Sequence, residues 1–254
     1  MPAAEPEPPP RRRRAAPPRA RQNMRRDAAA QPIGAANDGA ARRPLGRWDE
    51  LRAAALATPA RESPVDFWGR AALWSILLYY GWFYATLDVY RSQTKVSIFD
   101  YIVGMANLVF HEAGHIILIP LGSFMSTLGG SLFQVLIPAI CLAVFLRQRN
   151  GFAAAVMLWW AGQNLIDLAP YINDARAQRL QLLGGVTGRD VPGYHDWNNL
   201  LTRLGLLDYD RVLARTSHLL GAVAIALALA WGGYLLLRMR RESSRQADLL
   251  QRTG

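Results

Sequence analysis

The 254 residues include one cysteine, Cys141, and one lysine, Lys95. A lone cysteine excludes an intramolecular disulfide and any zinc ribbon built on paired thiolates. Glutamate is nearly absent from the body of the chain: Glu112 is the only one between residues 63 and 241. Histidine is scarce too, at four. Residues 1–47 contain no aromatic side chain and no apolar run, which excludes a packed core there and also the apolar stretch of a secretory signal. No helix-turn-helix, zinc-knuckle or aromatic RNA-binding pattern accompanies the formal charge of +10, so nucleic acid is not the expected partner.

What is present divides into two populations. Residues 1–65 hold 13 of the 28 arginines and 11 of the 15 prolines. Beyond them the chain is mostly apolar, and residues 116–146 run 31 positions without a charge. Five apolar segments stand out, at 68–87, 98–121, 126–146, 152–172 and 217–237. Each has the length and composition of a membrane helix, and the first is rich in interfacial tryptophan and tyrosine. The expected fold class is therefore an all-α polytopic membrane protein with about five transmembrane helices, in a range of about four to six. The expected organisation is a disordered tail (1–47), a linker or short amphipathic helix (48–66), a membrane domain (67–240) with a polar loop at 173–216, and a polar C-terminal tail (241–254). Abundant arginine and alanine with a single lysine point to a GC-rich bacterial genome, and the apolar segments to a multi-pass protein of its inner membrane. Its expected partners are membrane lipids, anionic headgroups met by the N-terminal arginines, and a membrane protein or peptide substrate.

Five spans produce a conflict of topology. They place the two arginine-rich termini on opposite sides, whereas the positive-inside tendency favours the same side for both. An even number of crossings removes the conflict, for instance if one apolar segment enters the membrane without crossing it.

The chemistry lies in His111-Glu112-Ala113-Gly114-His115. Histidines four apart project from one helix face, so both imidazoles can reach a single zinc ion. Glu112 sits one residue round and can take a proton from a water on that ion. An ionisable residue inside an apolar segment costs about 2.5–3.5 kcal/mol on insertion scales, which makes Glu112 functional by default. Zinc held by two histidines still needs a third protein ligand. Asp167, Asp174, His195, Asp196 and His218 are the candidates, with Asp174 first and His195 as its alternative. Asn164, Asp167, Tyr171 and Asp174 follow helical spacing along one side of the fourth segment. Asn164 is the expected donor to a developing oxyanion, because an amide stays neutral in a membrane.

An HExxH helix, a further span, and then a helix carrying Asn164, Pro170 and Asp174 resemble the site-2 protease class of intramembrane zinc metalloproteases. That family pairs HExxH with a later Asn-Pro-Asp-Gly motif whose aspartate completes the zinc site. The resemblance covers about residues 100–176. It implies His111, His115 and Asp174 as ligands of Zn2+, Glu112 as acid and base, and a peptidase activity. Ala175 stands where the family motif has glycine, and the motifs lie too close together for an inserted extramembrane domain.

Overall fold

The computed structural model describes residues 46–58, 63–86 and 97–253. The expected disordered tail lies outside these residues except for Gly46 and Arg47, and Arg91 and Lys95 lie outside them too. Among the described residues there are seven α-helices and no strand: α1 (Arg47–Ala55), α2 (Pro64–Thr86), α3 (Ile98–Ile117), α4 (Ser123–Arg147), α5 (Gly151–Asn173), α6 (Asp196–Leu204) and α7 (Asp210–Thr253). Each expected apolar segment forms a helix. Two stretches among the described residues are long and apolar enough to cross a membrane, α4 and residues 207–245.

Local chemistry sets the helix ends. Ser97 and Asp100 form a reciprocal capping box at the start of α3, and the Asn150 side chain accepts from the Ala153 backbone at the start of α5. α3 stops ahead of Pro120, in a short 3-10 turn closed by Gly122 at φ 93°. Pro170 does not end α5, which continues to Asn173. Residues 241–253 of the expected polar C-terminal tail are the last part of α7, an unbroken helix of 44 residues. The expected polar loop contains α6, which has its own N-cap in His195 and a left-handed C-cap in Gly205.

Two crossings bring helix backbones into contact. A Cβ on Gly114 of α3 would run into the Gly129 backbone of α4, and a Cβ on Gly129 into Gly114. Gly162 of α5 and Gly221 of α7 face each other likewise, with added Cβ atoms 2.7 and 2.5 Å from the opposite carbonyl. Small residues of this kind let helices approach closely without a large apolar side chain between them. Indole groups fasten the rest. Trp159 donates to the Leu77 carbonyl (3.0 Å), Trp74 to Leu229 (3.0 Å) and Trp231 to Ala55 (2.9 Å). Leu77, Tyr84, Trp159, Ile166, Ile225 and Ala228 form the largest buried apolar cluster among the described residues.

The bundle has two chemically different ends. At one, α1 lies against the C-terminal half of α7, with Arg238 donating to Leu56 and Thr58 to Glu242. The turn between α4 and α5, carrying Arg147 and Arg149, is at this end too, since a Cβ on Gly151 would meet the Ala55 carbonyl. At the other end are the last turns of α3 and α5, the first turns of α4 and α7, and α6. There Arg203 donates to Ser123 (3.0 Å), Asn198 to the Ala175 carbonyl (2.8 Å), and Arg176 pairs with Asp210 (2.6 Å). The last turn of α2 meets the first turn of α3 partway along the bundle. Tyr84 donates to Asp100 (2.5 Å), Tyr80 stacks on Phe99, and Trp159 packs beside them. α2 and α3 thus run the same way and together traverse the bundle once.

Candidate metal centre

His111 and His115 lie on the inner face of α3, with their Nε2 atoms 3.2 and 3.3 Å from one oxygen of Asp196. One ligand atom from each of the three residues lies within 4.8 Å of the others. Each histidine has its remaining nitrogen engaged. His115 Nδ1 is 2.8 Å from the Ser126 carbonyl, which can only accept, so Nδ1 carries the proton. His111 Nδ1 is 3.1 Å from Gln134 Oε1. The amide of Gln134 is oriented in turn by Nε2, which donates to Asp167 at 2.8 Å. Asn107 donates to the same Asp167 oxygen (3.3 Å) and to Gln163 (2.9 Å), and accepts from Trp160 (3.0 Å). With Nδ1 engaged on each ring, it is Nε2 that each histidine turns to the Asp196 carboxylate. A metal-binding histidine is held in this way, with its outer N–H donating to an oxygen.

Asp196 is the first residue of α6, and its position is set twice over. The Tyr171 hydroxyl accepts from the Asp196 backbone (2.9 Å) and donates to its carboxylate (3.1 Å). α6 itself is docked on α4 by Trp197, which donates to Ser131 (3.1 Å), and by buried Leu200 and Leu201. Burial pushes the Asp196 carboxyl up, but hydrogen bonds from His111 and His115 and their charge outweigh it and hold it down at about 2. The carboxylate is ionised at any physiological pH.

These donors could hold a metal ion. Ligand atoms about 2.0–2.1 Å from a tetrahedral zinc lie about 3.3 Å apart, which is the spacing between Asp196 and each imidazole. The helix opposite makes room: a Cβ on Gly130 would fall 2.5 Å from His111 Nε2 and 2.6 Å from His115 Nε2. Glycine at that position leaves space between the two imidazoles and α4.

The other candidate ligands are elsewhere. Asp174 is the C-cap of α5, and its carboxylate accepts the backbone N–H groups of Arg179 (3.0 Å) and Leu180 (2.7 Å). His195 is 1% exposed and caps α6, with Nδ1 accepting from Asn198 at 3.2 Å. Its Nε2 faces Asp174 at 3.5 Å, too long for a strong hydrogen bond. Burial lowers its pKa, which keeps the ring neutral as an acceptor requires. Asp167 anchors the amide network behind His111. His218 is on α7 with Nε2 buried and no hydrogen bond to it among the described residues. Asn164 is fully buried in α5, donates to the Trp160 carbonyl of its own helix, and does not line the cavity at the centre. The structure thus brings Asp196 to the HExxH histidines and leaves Asp174, His195 and Asn164 away from them.

Glu112 lines a cavity of about 590 Å³ that also contains His111, His115 and Asp196. One wall follows α3 down to Leu108 and Gly104, and a second is formed by Leu168, Pro170 and Tyr171 of α5. The segment 180–183 and Tyr194 cover it. Two contributors carry only faint marks in the sequence. Gln134 is the one amide side chain in the apolar stretch 126–146, and Tyr171 shares a helix side with Asp167 and Asp174. Compared with family models, with characterised proteins and with solved structures, the chain matches none.

Proposed function

We propose that this chain is a zinc-dependent hydrolase embedded in a membrane, acting as a peptidase on membrane-embedded or membrane-adjacent protein. The observation that carries the reading is the pair of imidazoles with both Nδ1 protons committed and both Nε2 atoms turned to one carboxylate, with Glu112 in the adjoining cavity. His111, His115 and Asp196 would hold the ion. When bound, zinc supplies a Lewis acid that makes a water acidic near neutral pH and polarises a carbonyl. Glu112 takes the proton and returns it to the leaving amine. Asn164 does not line the cavity and is not placed to meet a developing oxyanion, while the Tyr171 hydroxyl on the cavity wall orients the Asp196 carboxylate. Likeness to the site-2 protease pattern is then confined to HExxH, with the third ligand delivered by a loop helix.

Our reading places the chain as a multi-pass protein of the inner membrane; α4, residues 207–245 and the apolar side chains exposed on the outer faces of α2 and α3 support a membrane location. Trp68, Tyr79 and Trp82 on α2, and Ile102, Val109 and Ile116 on α3, are each more than half exposed. Continuous apolar surface of this kind is stable against lipid and costly in water. A second reading, hydrolysis of an amide or ester on a lipid or lipidated protein, is favoured by the apolar cavity walls at Leu108, Leu168, Leu180 and Leu182.

Metal analysis of the detergent-purified protein, with wild type and Glu112→Gln in parallel, tests the proposal. Both are expected to contain about one zinc per chain. Comparing membrane proteins and lipids between cells carrying each form should show substrate accumulating only with Glu112→Gln. Absence of zinc from both forms would leave a non-catalytic membrane scaffold instead.

A further inference from the structure

Accepting the membrane reading above, we infer that the metal centre opens on the face of the membrane opposite the cytoplasm, and that its substrate bond lies in a juxtamembrane segment on that face. The argument begins with the direction of each helix. α2 and α3 together traverse the bundle once, because the end of α2 and the start of α3 meet beside Trp159 and both helices point toward the metal centre. α4 returns, α5 goes forward and α7 returns. Four traversals put α1 and the C-terminal part of α7 at one end, as the hydrogen bonds of Trp231 and Arg238 to Ala55 and Leu56 require. The conflict created by five full crossings disappears.

Charge then orients the bundle. The end away from the metal carries Arg47, Arg52, Arg147, Arg149, Arg238 and Arg240. Arg241, Arg245 and Arg252 continue along α7 beyond them. The metal end has six arginines in residues 173–216, among five aspartates, and Arg176 is tied to Asp208 and Asp210. Arginine in short flanks of membrane spans is retained in the cytoplasm. The arginine-rich end is cytoplasmic, and the metal end faces out.

Depth decides where the substrate bond must be. His111 and His115 are within the last two turns of α3, about 9 and 3 Å from its end at a rise of about 1.5 Å per residue. Half the hydrocarbon thickness is about 15 Å. The third ligand comes from α6, which carries Arg203 and follows a segment carrying Arg179, Arg189 and Asp190, and which belongs in water. A bond at the bilayer centre would lie below this centre; one just outside the hydrocarbon would lie beside it.

Cysteine labelling tests the orientation without relying on catalysis. In a Cys141→Ser background, Asp208→Cys marks the metal end and Gln148→Cys the arginine end; Asp208 has a side chain 93% exposed. Spheroplasts are treated with a membrane-impermeant maleimide before and after permeabilisation. The expected result is labelling of Asp208→Cys in intact spheroplasts, and of Gln148→Cys only after permeabilisation. The reverse pattern overturns the inference while leaving a membrane zinc hydrolase intact. Recovery of the chain in the soluble fraction, or both positions reacting before permeabilisation, overturns the inference by removing the membrane reading under it. Zinc content reports separately on the hydrolase.

Discussion

Asp196 and Asp174 are both carboxylates at helix ends within the same polar stretch, yet their surroundings give them different work. Asp174 is spent on two backbone N–H groups, those of Arg179 and Leu180. Asp196 has its backbone held by Tyr171 and its carboxylate turned to two imidazoles. Asp196→Ala is therefore expected to lose zinc from the purified protein, and Asp174→Ala to retain it while loosening the start of the loop. Measuring metal per chain in both variants decides between them. Gln134 is a second residue whose effect is exerted through another. Replacing it with leucine removes the acceptor for His111 Nδ1 and leaves Asp167 short of a donor. Outer partners of this kind are worth about 10–100-fold in metal affinity. Zinc competition with a calibrated chelator should show a loss in that range for Gln134→Leu.

At the scale of elements, the centre depends on how closely α3 and α4 cross. Gly114 and Gly129 bring the backbones together, and Gly130, one residue on, leaves room for the imidazole tips. Gly130→Ala favours the helix by roughly 1 kcal/mol in propensity, so folding of α4 is not at risk from the backbone. The added methyl instead falls 2.5–2.6 Å from both Nε2 atoms and must push them apart. The expected outcome is a protein with wild-type helicity by circular dichroism and little bound zinc. α6 is the other critical element. Nine residues long, it carries Asp196 at its first position because His195 caps it and Tyr171 meets it from α5.

For the whole molecule, the metal centre joins three segments that are far apart in the chain: α3, α6 and, through Tyr171 and Gln134, the α4–α5 pair. An ion bound to the folded form alone stabilises it by about 2.7 kcal/mol at 100 times its Kd. For a chain of this size each kcal/mol is worth about 2–4 °C in Tm. Chelation of the wild-type protein in detergent should therefore lower Tm by about 5–10 °C, and chelation of Asp196→Ala should leave Tm unchanged. A thermal unfolding series with and without chelator makes the comparison.

Much of this was legible in the residues. The five apolar segments mark five helices because apolar length and lack of charge act locally. His111, Glu112 and His115 mark the centre because a spacing of four on a helix is itself a geometry. The glycine pair at 129–130 and the lone amide Gln134 were visible as residues, but not as the floor and outer support of the centre. The third ligand was not legible beyond a set of five candidates. Asp167, Asp174 and Asp196 are chemically equivalent on paper, and only packing distinguishes them: one is taken by amides, one by backbone N–H groups, and one is left facing two imidazoles. The direction of α2 was hidden for the same reason. An apolar segment of 20 residues can cross a membrane or stop partway, and contacts of Tyr84 and Phe99 with Trp159 select the second. Local chemistry determined the helices and the two histidines with their glutamate. Long-range packing decided which carboxylate meets them and at which end of the bundle.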